Sequence, residues 1–288
     1  MLYLCATPIG NLEDITLRVL RILREADVIA AEDTRQTLKL LSHYEIRTRL
    51  ISYHEHSSCE REAELLSILK NGGTVALVSD AGMPSISDPG SALVRACQNA
   101  GIGVTCCPGA SALTTALALC GFPAGSAVFE GFLPRDKSAR NTRIQALREE
   151  TRTTVIYESP HRLLRTLTDL ASIENEASPR RAAVMSELTK LYERCIVEPL
   201  VNFPKILEGC QVRGEVVIVL EGITKHQALV YEQEQRAAAF TNVPIAEHVA
   251  QYIGHGMPKM QAIKAAARER GVPKAVVYNA LLSQTSQE

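Results

Sequence analysis

With 288 residues, 46% of them hydrophobic and 22% charged, the chain has room for two domains of ordinary size and is too apolar to be disordered. A net charge of −1 excludes a protein that is basic over its whole surface, so any nucleic-acid contact must come from local patches. Eight cysteines without a C-x-x-C pair, mostly in apolar stretches, fit buried thiols in a reducing compartment better than disulfides or zinc.

The first expected strand is Leu2–Ala6, and apolar residues then recur at Ile15, Val19, Ile22, Leu23 and Ala26 with a helical period. Asp27–Ala31 predicts a second strand, Gln36–His43 a helix, Arg49–Tyr53 a third strand and Glu60–Leu69 a helix. Thr74–Ser79 is an unbroken run of β-branched and aliphatic residues, the pattern of a buried strand. It breaks into Asp80-Ala-Gly82-Met-Pro84-Ser-Ile-Ser-Asp88-Pro89-Gly90, whose prolines and glycines continue neither strand nor helix. A helix at Ser91–Asn99, a strand at Ile102–Cys106 and a Pro108-Gly109 turn follow, with Ser111 placed to N-cap the next apolar helix. Strands alternating with helices imply a largely parallel sheet.

Gly121-Phe-Pro-Ala-Gly125 punctuates the chain, and the second half repeats the count of five strands: Ala127–Phe132, Thr153–Ser159, Arg181–Leu188, Leu191–Val197 and Glu215–Glu221. Helices near Ser138–Glu149, His161–Ala171 and Pro199–Leu207 lie between them. The expected organisation is therefore an α/β domain over 1–121, a second over 122–225, a polar linker about 226–236 and a helical appendage over 237–288. The appendage holds three helices, Ile245–Ile253, Lys259–Arg270 and Lys274–Leu282, separated by glycine and proline. No apolar run reaches the ~18 residues of a membrane span, and no signal-like segment precedes the first strand; a cytoplasmic protein is expected.

The usual nucleotide-phosphate, hydrolase and zinc-protease motifs are absent. What remains is a set of loops beyond strand ends, Thr7–Asn11, Asp80–Gly90, Pro108–Ala112 and Glu158–Arg162, where open α/β sheets bind ligands. Together they would offer backbone groups, a hydroxyl and an aspartate to a compact polar ligand with an apolar part. Glu32, Asp33, Arg35, Glu158, His161, Arg162, Glu187 and Lys190 are the ionisable residues at strand ends on that side. Capping, a helix start and ordinary ion pairing are their structural alternatives. His54 and His56 alternate as metal ligands would, but with no partner cluster they read as solvated loop histidines, and no metal is expected.

Six motifs, in order, point to a family. Thr7-Pro-Ile-Gly-Asn-Leu12, Ala31-Glu-Asp-Thr-Arg35, Val78-Ser-Asp-Ala-Gly-Met-Pro-Ser-Ile-Ser-Asp-Pro-Gly90, Pro108-Gly109, Glu130-Gly-Phe-Leu-Pro134 and Tyr157-Glu-Ser-Pro-His-Arg162 resemble the ribosomal RNA small subunit methyltransferase I family. That family sits within the tetrapyrrole (class III) methylases. The resemblance implies two α/β domains of tetrapyrrole-methylase type, a homodimer, and S-adenosylmethionine bound between the domains. It implies methylation of the ribose 2′-oxygen of a decoding-centre cytidine in small-subunit (16S) ribosomal RNA, as naked RNA or in the assembled 30S subunit. By motif, the cofactor positions would be Pro8, Asp80, Met83, Ser111, Ala112 and Glu215, with Met83 standing where the family more often has threonine.

Methyl transfer from a sulfonium is an in-line displacement, so positioning should supply much of the rate, and a weakly acidic ribose hydroxyl gains from a base or a cation. Glu32, Arg35, Glu158 and His161 are the expected catalytic residues. Arg135, Lys137, Arg140 and Arg143 form an expected RNA-facing rim. Lys259, Lys264, Arg268, Arg270 and Lys274 accompany two helices joined by a Gly-Val-Pro turn, in outline a helix-turn-helix; a small packing bundle is the alternative. Tyr252 and Tyr278 are expected to pack within that bundle rather than stack on bases. Two other functions fit the residues less well: a methylase of a tetrapyrrole or corrin precursor, and a nucleic-acid-binding regulator using the C-terminal helices.

Overall fold

The structure, a computed structural model, describes residues 1–54, 59–174, 179–210, 212, 214–224, 227–229, 231, 240 and 243–285. His56 and all of the expected linker except residues 227–229 and 231 lie outside the described residues.

The first sheet contains β1 (Leu2–Cys5), β2 (Val28–Ala31), β3 (Leu50–Ser52), β4 (Val75–Val78) and β5 (Val104–Cys107) in the order β3-β2-β4-β1-β5. All its pairings are parallel, as alternating strands and helices require. β2 and β4 are buried along their whole length because helices cover both faces, which is why they read as unbroken apolar runs. Helix α1 (Leu17–Glu25) buries Val19, Leu20, Ile22 and Leu23 on one side, and α2 (Thr34–His43) adds Leu41 to that layer. Helices α3 (Cys59–Lys70) and α4 (Ser91–Asn99) cover the other face through Leu65, Leu69, Leu93 and Cys97.

The second sheet contains β6 (Ala127–Phe132), β7 (Thr153–Glu158), β8 (Arg181–Ser186), β9 (Arg194–Pro199) and β10 (Val216–Leu220) in the order β6-β7-β10-β8-β9. Only β6 and β7 pair in parallel; the remaining pairs are antiparallel. Helices α6 (Lys137–Leu147), α7 (Pro160–Ala171) and the short α8 (Phe203–Ile206) bury Ile144, Leu163, Leu167 and Phe203 against one face. The opposite face, with Val155, Met185, Val217 and Val219, receives α5 (Ala112–Leu119), the helix that leaves the first sheet. The two sheets thereby form one compact unit, Met1–Arg148 with Arg152–Glu221.

Two expectations shift. The strand expected at Leu191 starts only at Arg194, because Glu187 and Thr189 take left-handed backbone (φ 55° and 65°) and a tight turn consumes the intervening residues. The helix expected at Pro199–Leu207 is a 3-10 turn at Leu200–Asn202 followed by α8, with Pro199 still in β9.

The second unit, Gly222–Glu288 with Glu149–Thr151, contains α9 (Ile245–Gly254), α10 (Lys259–Glu269) and α11 (Lys274–Thr285) around Val249, Ile263, Ala266 and Val277. Its buried His248 stacks on Phe240 with ring centroids 3.9 Å apart. The His248 Nε2 lies 3.1 Å from Glu269, and the Nδ1 accepts from Arg270 Nε at 3.0 Å.

In the first unit Arg180, 3% exposed, donates to Glu174 at 2.5 and 2.7 Å and to the Leu147 carbonyl at 2.9 Å. Removing one partner strands a buried charge, so Arg180→Ala should lower stability by about 3–5 kcal/mol, measured by urea unfolding.

Candidate active site

The loops that follow β1, β2, β4 and β5 leave the same edge of the first sheet, because parallel strands place all their carboxyl ends together. The β1 and β4 loops are bonded to each other. Thr7 and Gly82 exchange both backbone hydrogen bonds (2.9 and 3.0 Å), and the Thr7 hydroxyl donates to the Ser79 carbonyl at 3.1 Å. The β4 loop then carries Ser85 and Ser87 in left-handed backbone (φ 70° and 62°), a strain held by its surroundings. From the second sheet, Gly131 comes close at a bulge in β6; with φ 64°, a Cβ there would lie 3.1 Å from the Ser87 hydroxyl.

These loops and the ends of β7 and β10 enclose a cleft of about 380 Å³, within the range of small-molecule sites. Its apolar wall includes Ile9, Met83, Phe132 and Tyr157; its polar wall includes Glu32, Asp80, Asp88 and Glu215. Burial, with the Asp80 charge next in weight, raises the Glu32 carboxyl above the usual carboxylate range. Asp88 is pushed up to about 7, first by burial, then by Glu32, with Asp80 and Glu215 adding to it against a bond from Ser79. The Asp80 carboxylate also accepts the Asp33 backbone N–H at 3.0 Å. Among the described residues the cleft wall carries five acidic side chains, Glu158 with those four, and no basic one, which favours a ligand that carries positive charge.

Of the expected cofactor positions, Asp80, Met83, Ser111, Ala112 and Glu215 border the cleft. The β1 loop presents Ile9 there instead of Pro8. Ser111 stands at the N-cap of α5 but its side chain makes no capping bond, so the expected cap is replaced by a hydroxyl and free helix N–H groups beside the cleft.

The expected catalytic residues divide. Glu32 lines the cleft. Arg35 does not: it donates to Asp33 through Nε and Nη2 at 3.0 and 2.7 Å, and those bonds hold the Asp33 carboxyl down at about 2. Glu158 borders the cleft, yet its carboxylate is fully buried, accepting from the Ser159 N–H at 2.8 Å and the Thr166 hydroxyl at 2.6 Å, with Arg162 at 3.4 Å. Those bonds tie the end of β7 to α7. His161 is exposed in the first turn of α7, off the cleft wall. Asp88 was missed as a site residue; its place in the same loop as Asp80 was the available signal.

The expected RNA rim loses a member. Arg140 is 5% exposed, donating to Asp169 at 3.0 and 3.1 Å and to Thr166 at 2.9 Å, so it braces α6 on α7. Arg143 is exposed but forks onto Glu130, while Arg135 and Lys137 are exposed. Glu187 and Lys190 form an ion pair at 2.9 Å. In the helical unit Arg270 turns inward to His248, leaving Lys259, Lys264, Arg268 and Lys274 exposed. Tyr252 packs beside His248, and its hydroxyl bond to Glu269 makes it a weaker acid, its pKa pushed up to about 12, whereas Tyr278 is 43% exposed.

Comparison with known proteins gives three results. Residues 1–203 match the family described as Tetrapyrrole (Corrin/Porphyrin) Methylases. The chain is similar to the ribosomal RNA small subunit methyltransferase I of Halalkalibacterium halodurans, 44% identical over 96% of this chain and 93% of that one. The protein of the same name from Thermotoga maritima is 47% identical over 77% of this chain and 98% of its own length. In fold, a diphthine synthase crystal structure superposes with a TM-score of 0.59 at 19% identity, covering 81% of this chain and 94% of that one.

The Asp88 shift has a testable sign. A folded-state acid held above its ordinary value costs stability as pH rises from the ordinary carboxylate range to about 7, and the cost is constant above that. Without cofactor, Asp88→Asn should therefore raise Tm by about 3 °C near pH 8 and leave it unchanged near pH 4, read by scanning calorimetry.

Proposed function

Since the chain belongs to the ribosomal RNA small subunit methyltransferase I family, within the tetrapyrrole methylases, we propose that it methylates the ribose 2′-oxygen of a decoding-centre cytidine in small-subunit ribosomal RNA. The supporting observation is a 44% identity that runs through both sheets and the helical unit, covering 96% of the chain. The cofactor is S-adenosylmethionine, which when bound supplies an electrophilic methyl group.

The cleft suits that cofactor by size and charge: its acidic wall matches the sulfonium and ammonium charges, and the apolar residues match the adenosine ring. Asp80, Met83, Ser111, Ala112 and Glu215 would hold it, with Ile9 taking the role expected of Pro8. The same reading takes residues 1–121 and 122–225 as two lobes sharing the cleft, the helical appendage as an accessory, and the working protein as a cytoplasmic homodimer. The Thermotoga maritima relative aligns over nearly its whole length to 77% of this chain, so about a quarter of this chain has no counterpart there.

The chain's own part in the reaction is to orient the ribose hydroxyl, keep water out and accept a proton. Asp88 and Glu32 are the cleft carboxyls with raised proton affinity, so at neutral pH each is better suited to take a proton than an ordinary carboxylate. Asp88, which lies among Glu32, Asp80 and Glu215, is the stronger base. A bound cation favours its ionised form and lowers its proton affinity again. The rate of methyl transfer should thus rise with pH, with an inflection near 7 in kcat/KM and at a lower pH in kcat. Asp88→Asn should cut kcat by about 10²-fold or more and flatten both profiles.

The first experiment is transfer of labelled methyl from S-adenosylmethionine to small subunits and naked small-subunit RNA lacking the modification, with the position mapped. Label on one cytidine ribose is the expected outcome. Cofactor binding without RNA label, or label on a tetrapyrrole precursor, would overturn the substrate; no cofactor binding would overturn the methyltransferase reading.

A further inference from the structure

The exposed side of α1 carries Arg18, Arg21 and Arg24, while Val19, Leu20, Ile22 and Leu23 face the core. Spaced by three, these arginines share about a third of the helix circumference and span roughly 9 Å along its axis. The helix crosses back over a parallel sheet, so its N-terminal end lies at the strand edge that bears the cleft. Contacts fix that placement: a Cβ on Gly109, two residues before Ser111, would lie 3.6 Å from the Thr16 side chain that caps α1. At the far end the arginines continue into a second group. Arg24 donates to the Tyr44 carbonyl at 3.3 Å, and Arg24, Arg47 and Arg49 border a shallow depression of about 330 Å³ with Asp27 and Glu45. His43 and Tyr44, in edge-to-face contact at 4.7 Å, lie at the same end of α2.

We propose that this arginine face of α1, continued by Arg47 and Arg49, binds the sugar–phosphate backbone of the RNA substrate beyond the modified nucleotide. The proposal rests on the RNA-methylating function above and assigns the RNA a path along a surface that the Arg135–Arg143 segment does not provide. All three cations on α1 are arginine, whose planar fork matches phosphate oxygens. The Arg21–Glu25 pair is more than half exposed on both sides, so it competes weakly with phosphate. Asp27 is occupied by the Thr74 backbone and hydroxyl at 2.7 and 2.8 Å, so the acidic interruptions are Glu45, Glu25 and Glu64, which pairs with the largely exposed Arg49 at 2.9 Å. Exposed Leu17, 86% accessible beside Arg18, adds an apolar contact next to the cleft.

The test uses the full-length protein and a small-subunit ribosomal RNA transcript, with binding followed by fluorescence anisotropy across a salt series. Combining Arg18→Gln, Arg21→Gln and Arg24→Gln should reduce the slope of log affinity against log salt by about 2, since each single-strand phosphate contact contributes about 0.7. Affinity near 0.1 M salt should drop at least tenfold, with KM for RNA raised, kcat unchanged and S-adenosylhomocysteine binding by calorimetry unchanged. The matching triple Arg→Lys variant should keep the slope while losing part of the affinity, which separates charge from damage to the helix. A wild type that methylates RNA while the Gln variant keeps the same affinity and slope overturns the proposal. So does a loss confined to assembled subunits, because it would assign the face to a ribosomal protein. A wild type that neither binds nor methylates the RNA brings down the functional reading itself.

Discussion

Glu32, Asp80, Asp88 and Glu215 are held in one cleft, where their mutual repulsion adds to burial in raising the carboxyls of Glu32 and Asp88. Desolvation disfavours an ionised carboxyl, and with Glu32 beside it Asp88 is pushed up to about 7. Such a cluster persists only if its backbone cannot relax. The Thr7–Gly82 bridge, the left-handed Ser85 and Ser87, and the close approach of Gly131 together fix the β4 loop against both sheets. A cationic ligand would relieve that repulsion, which adds to its binding energy.

Behind the cleft wall the same protein treats charge in the opposite way. Glu158, Arg140, Thr166 and Asp169 form a buried network in which the carboxylate of Glu158 is surrounded by donors. Arg180 and Glu174 repeat the pattern at the other end of the second sheet. Paired buried charges brace helices against strands; the Glu32 and Asp88 carboxyls instead stand among other acids. This contrast separates Glu158, whose carboxylate is held by donors, from Asp88, whose carboxyl stands among other acids.

The alternation of strands and helices, the apolar runs of β2 and β4, and the spacing of the α1 core positions were legible because each is local: a period of two or 3.6 needs only neighbouring residues. The loops that frame the cleft were legible too, since parallel strands put their carboxyl ends on one edge. Helix α5 was read as part of the first half, but it packs on the second sheet, a partner more than thirty residues downstream that no local pattern announces. The turn at Glu187–Glu193 was likewise hidden, because two non-glycine residues take left-handed backbone without a glycine to signal it.

By itself the sequence determined the fold class, the order of the elements and the membership of a methyltransferase family, because these follow from periodicity and from ordered motifs. Only the tertiary structure decided which ionisable side chains face the ligand. Arg140 and Arg143 sit three residues apart on one helix, yet one is buried against Asp169 and the other stays half-exposed while pairing with the buried Glu130 carboxylate. Pro8 and Ile9, or Glu158 and Asp88, are separated in the same manner. The direction and desolvation of a side chain depend on what packs against it from distant segments, and charge takes its chemical meaning from that environment.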